Sequence, residues 1–117
     1  MVLALLDDLM FTSKIKTTAG QLGVPVVFAR SAESALTQMR STPPSFVILD
    51  LDNPRIDPLR TVQSMKADAA LSGIPTVGFA SHVHVEVIEA ARQAGVTEVM
   101  ARSAFTQKLP EILARGK

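Results

Sequence analysis

Phe46-Val47-Ile48-Leu49 is an unbroken apolar run, stopped at once by Asp50 and, two residues on, Asp52. A strand without apolar–polar alternation is covered on both faces, which is the situation in the middle of a parallel sheet packed between helices. Parallel strands need crossovers of a dozen or more residues, usually helical, and the chain supplies them. Val2–Leu6 and Val24–Phe28 read as strands before this run, and Thr76–Phe79 and Val99–Ala101 as strands after it. Between the strands, apolar residues recur at helical spacing: Phe11, Ile15 and Leu22; Ala35, Leu36 and Met39; Leu59, Val62 and Met65; Val87, Ala91 and Ala94. Asp8 and Ser31 suit N-caps, and Gly23 and Gly95 suit helix ends. Leu109, Ile112 and Leu113 give a last short helix, with Thr106 as its cap and Pro110 in its first turn. The pattern predicts an α/β fold of (βα)5 type, a five-stranded parallel sheet in a single domain over residues 1–117.

Composition narrows the function. Twelve Lys and Arg against eleven Asp and Glu leave a net charge of +1, so charge offers no argument for a nucleic-acid or membrane surface. With no Trp or Tyr and five Phe, stacking platforms for single strands are not expected. The absence of Cys rules out disulfides, thiolate metal sites and cysteine nucleophiles. No apolar run approaches the roughly 20 residues that span a bilayer, and a cytoplasmic protein is expected.

The chemistry gathers at the strand ends. Asp7 and Asp8 follow the first strand, Asp50 and Asp52 the third. In a parallel sheet these carboxyl ends share one edge, where open α/β sheets place their ligands. Carboxylates crowded there repel unless something positive joins them, and a hard divalent cation such as Mg²⁺ serves. Taken singly, each aspartate reads as solvated or as a helix cap; together they favour a metal site.

Over nearly its whole length the chain resembles the receiver domains of two-component response regulators. The resemblance is carried by Leu5-Leu6-Asp7-Asp8, by Val47-Ile48-Leu49-Asp50-Leu51-Asp52-Asn53-Pro54, and by Gln93-Ala94-Gly95-Val96, in that order. It implies a flavodoxin-like, doubly wound sheet. Asp50 would accept a phosphoryl group from a histidine kinase or phosphotransfer protein. Asp7 and Asp8 would help to hold Mg²⁺, with a backbone carbonyl near Asp52. It also implies a signalling protein and not an enzyme, beyond self-phosphorylation from a donor and slow autodephosphorylation, with an output partner or a second copy meeting the face of helix four, strand five and helix five.

Three positions depart from the pattern. Ala80 followed by Ser81 stands where receivers carry Thr or Ser followed by Ala; Arg102-Ser103 replaces Lys-Pro; and Val99 replaces an aromatic switch residue. The chain is therefore expected to be an atypical receiver, or a pseudo-receiver that binds partners without phosphorylation. Ser81 is open to two readings, a displaced hydroxyl ligand or the N-cap of helix four, the cap being favoured. Arg102 is open to phosphate contact or to an ion pair with Asp50 or Asp7, and the ion pair is favoured because it needs no modification to form. His82 and His84 are expected to be exposed rather than metal-bound. Lys14 and Lys16 are expected on a solvated face. A third class, the Asp-x-Asp phosphatases, is disfavoured because Asp50-Leu51-Asp52 falls on the third strand and Asn53-Pro54 follows it.

Overall fold

Strand parity organises this molecule, described here over residues 1–117 of a computed structural model. The chain runs β1 (Val2–Leu5), α1 (Leu9–Leu22), β2 (Val26–Ala29), α2 (Ala32–Ser41), β3 (Phe46–Asp50), a 3-10 turn at Pro54–Ile56, α3 (Pro58–Ala67), β4 (Thr76–Ala80), α4 (Val85–Ala94), β5 (Glu98–Ala101) and α5 (Arg102–Ala114). Every pairing is parallel, and the strand order is β2-β1-β3-β4-β5. This is the flavodoxin-like doubly wound sheet that the sequence predicts. Its order reverses between β1 and β3, which places the ligand crevice at their carboxyl ends.

Successive residues of a strand point to opposite faces, and the core divides accordingly. Val2, Ala4, Leu6, Phe46, Ile48, Val77 and Phe79 pack with Ile15 of α1 and with Phe105, Leu109, Ile112 and Leu113 of α5. Leu3, Leu5, Val47 and Leu49 pack on the other side with Ala35, Leu36 and Met39 of α2, Val62 and Met65 of α3, and Ala91 of α4. The first face contains a stack of three rings: Phe79 lies 4.9 Å from Phe11 and 4.6 Å from Phe105, centroid to centroid. The second contains no aromatic residue at all.

Caps behave largely as their residue types require. Asp8 Oδ1 accepts the Phe11 N–H and starts α1, and Ser31 Oγ accepts the Ser34 N–H and starts α2. Gly23 and Gly95 end α1 and α4 in the left-handed region, at φ 71° and 104°. Two expectations are corrected. Ser81 is not the cap of α4, whose N-cap position is His84. The last helix begins at Arg102, directly after β5, so Thr106 and Pro110 lie inside it. Thr106 Oγ1 donates to the Arg102 carbonyl, a bond within a turn that a sequence pattern reads equally well as a cap. No helix is long and apolar enough to cross a membrane.

Candidate functional site: an arginine-closed acidic mouth

Register sets the mouth. Leu5 pairs with Leu49, Asp50 with Phe79, and Ala80 with Ala101, so the residues just beyond these pairs emerge on one edge. Asp50, at the end of β3, is only 4% exposed. Arg102, the first residue of α5, reaches it from the far side of β4. The arginine Nη2 lies 3.5 Å from Asp50 Oδ1 and 3.6 Å from Asp52 Oδ2, and its Nη1 lies 4.0 Å from Asp8 Oδ2. Beneath the guanidinium are two aromatic faces, with Cζ 5.1 Å from the centroid of Phe11 and 5.0 Å from that of Phe79. Ion pairing from one side and cation–π attraction from the other hold a flat cation well.

Each carboxylate has further partners. Asp50 Oδ1 accepts the Asp52 N–H at 3.0 Å. Asp52 Oδ2 accepts the Ser81 N–H at 2.8 Å, and His84 Nδ1 donates to Asp52 Oδ1 at 2.7 Å. Burial pushes the Asp50 pKa up, and its hydrogen bond from Asp52 and the charge of Arg102 offset this only in part. Burial acts on Asp52 in the same sense, but the bonds from His84 and Ser81 and the nearby positive charges outweigh it, and its pKa is lowered. The turn between these aspartates sits tightly because Gly78 of β4 has no side chain. A Cβ there would lie 2.6 Å from Leu51 Cδ1.

Asp7 goes elsewhere. Its Oδ1 accepts from Asn53 Nδ2 and its Oδ2 from Arg55 Nη2 at 3.0 Å. The sequence brings Asp8, Asp50, Asp52 and Arg102 together; it does not bring Asp7 to the same oxygens. Ser81 joins through its backbone N–H, and its side chain lines an open cleft with His82, Arg102, Ser103, Thr106 and Gln107. The expected ion pair of Arg102 forms with Asp50 and not with Asp7. Sequence reasoning missed His84 as a partner of Asp52, and Asn53 and Arg55 as partners of Asp7. Ala80, at the end of β4, is fully buried.

A divalent ion needs about six oxygen ligands, and the mouth as arranged does not fit one. The guanidinium of Arg102 stands among Asp8, Asp50 and Asp52, Asp7 is held apart by Asn53 and Arg55, and no group of three or more His, Cys, Asp or Glu side chains is placed to hold a metal.

No protein-family model matches the chain. Among curated proteins it is similar to the transcriptional activator protein ExaE of Pseudomonas putida, 29% identical over 96 residues, covering 82% of this chain and 44% of that protein. The chain thus spans less than half the length of that relative. Among solved structures it is similar to a putative response regulator from Chloroflexus aurantiacus J-10-fl, with a TM-score of 0.84 and 22% identity over 95% of this chain and 91% of the other. It is also similar to the Mn²⁺-bound form of response regulator Rcp1, with a TM-score of 0.80 and 14% identity over 95% and 89% of the two chains. The chain has the fold of response-regulator receiver domains.

Proposed function

We propose that residues 1–117 act as one receiver-type domain in two-component signal transduction, and that the domain works as a pseudo-receiver. It would present the face formed by α4, β5 and α5 to an output partner or a second copy without phosphorylation of Asp50. The observation that carries this reading is the guanidinium of Arg102 lying across Asp8, Asp50 and Asp52. Two absences of chemistry support it. Ala80 offers no hydroxyl to swing towards a modified Asp50, and Val99 offers no aromatic ring to change rotamer in response. Without those parts, charge arriving at Asp50 has no ordinary route to the α4–β5–α5 face. Nothing in the mouth is arranged for turnover, so the domain is read as a signalling module and not an enzyme, acting in the cytoplasm beside its partners.

A second reading keeps Asp50 as phosphoacceptor from a histidine kinase or phosphotransfer protein, with Mg²⁺ in the mouth. Its support is the position of Asp50 at a β3 carboxyl end beside a cation, together with the likeness to a Mn²⁺-bound regulator. In that reading an Asp50 oxygen bonds to phosphorus as the donor's bond to it breaks, and Arg102 pairs with the oxygens that carry the charge. Incubation with acetyl phosphate and Mg²⁺, followed by intact-mass measurement, separates the two. The pseudo-receiver should show no phosphoryl adduct. An adduct that Asp50→Asn abolishes would overturn it in favour of the phosphoacceptor.

A further inference from the structure

Three carboxylates within reach of one another need a compensating charge, and this chain carries that charge in its own sequence. We propose that Arg102 is a built-in cation that takes the place of a divalent ion at the mouth, so that the domain closes its acidic site without metal. The inference rests on the closed mouth described above, but not on which partner the domain meets.

Three features of Arg102 suit it to the part. Its backbone is fixed, because it follows the Ala80–Ala101 pair of the sheet and opens α5. Its side chain is two-thirds buried, with 34% exposed, and the guanidinium rests on Phe11 and Phe79 within cation–π distance of each. Its fork reaches Asp8, Asp50 and Asp52 together. A lysine could not do all three, since its ammonium is a compact, strongly hydrated point charge that neither stacks nor forks. The arginine also works against competitors. A divalent ion near Asp8 and Asp50 would lie a few ångströms from a fixed positive charge, and that repulsion is only partly screened at a half-buried site.

Exclusion of metal by a side chain predicts a gain on removing it. Manganese alone is the probe, with the free-ion paramagnetic resonance signal as readout and no phosphodonor present. Wild-type protein should leave the signal unchanged at low millimolar Mn²⁺. Arg102→Met, which keeps an apolar stem on the two rings, and Arg102→Ala should both take up the ion at least about tenfold more tightly, as loss of a unit charge about 4 Å away requires. Uptake should vanish again when Asp50→Asn is added. Wild-type uptake as tight as that of the variants, or no uptake by either folded variant, would overturn the proposal. Should both variants fail to fold, the melting temperature of the wild type decides: unchanged by Mn²⁺ if the cation is built in, raised if it is not. A wild type that binds Mn²⁺ yet takes no phosphoryl group would sink this inference and leave the pseudo-receiver standing. One that ignores Mn²⁺ but is phosphorylated would do the reverse.

Discussion

Two arginines grip the aspartates at the strand ends, and they do so under opposite conditions. Arg102 serves Asp8, Asp50 and Asp52 from a stacked, largely covered position. Arg55 serves Asp7 at a shorter distance, 3.0 Å, but from a side chain that is 82% exposed. By distance alone Arg55 makes the better ion pair. By environment it does not, because water and salt screen an exposed pair while its long side chain loses freedom to form it. Burial and the number of partners, not the closest approach, decide which arginine shapes the site.

The sharpest way to break this comparison is to remove the floor under Arg102. Phe79 is fully buried, touches both other rings of the stack and pairs in register with Asp50. Phe79→Ala should cost about 3–5 kcal/mol in urea unfolding, as large-to-small changes in a packed core do. Arg102→Ala should cost less, about 1–3 kcal/mol, because it strands carboxylates that are partly desolvated. Arg102→Lys should recover only part of that loss. If lysine restores full stability, stacking contributes nothing and the contrast with Arg55 reduces to charge.

How far all this was legible in the sequence depends on the residue. The sheet was legible, since uninterrupted apolar strands and helical spacing leave few alternatives. The convergence of Asp8 and Asp50 was legible too, and parity carries more than the motif. Counting by twos from Val2, Ala4 and Leu6 leads to Asp8, and from Phe46 and Ile48 to Asp50, both on the α1–α5 side of the sheet. The same count puts Asp7 on the other side, where Asn53 and Arg55 meet it. Treating Asp7 and Asp8 as a pair overlooked that neighbours in extended chain face apart. His84 was not legible, because its bond to Asp52 depends on how the β4–α4 loop turns back. The start of α5 was hidden because nothing at Ala101 caps it.

Within the grip of Arg102, Asp50 and Asp52 differ in sign, which sharpens the comparison by pH. Burial raises the folded-state pKa of Asp50, so its ionised form costs stability above that pKa. The cost disappears below the unfolded value of 3.8, where both states are protonated. Asp52 is lowered, so it contributes stability above 3.8 that is lost as pH falls through its folded pKa. Asp50→Asn should therefore stabilise the fold at pH 7, by up to about 1 kcal/mol, and Asp52→Asn should destabilise it by a similar amount. The Asp50 difference should vanish in unfolding curves taken below pH 3.8, and the Asp52 difference should shrink only as pH falls further, through its own folded pKa. Equal signs at pH 7 would show that the bonds Asp52 receives from His84 and Ser81 do not set it apart from Asp50.

The smallest effect belongs to Arg55. Its removal leaves Asp7 with Asn53 and with access to water, so no buried charge is stranded. Arg55→Ala should change stability by no more than about 0.5 kcal/mol. Whatever difference appears at low salt should disappear by about 1 M salt, where the screening length is only about 3 Å. The Arg102 difference should persist in the same buffer, since Asp50 and Asp52, two of its three partners, are largely covered by protein. Two arginines that respond to salt alike would mean that the rings beneath Arg102 give it no shelter, and the division between a structural cation and a surface one would not hold.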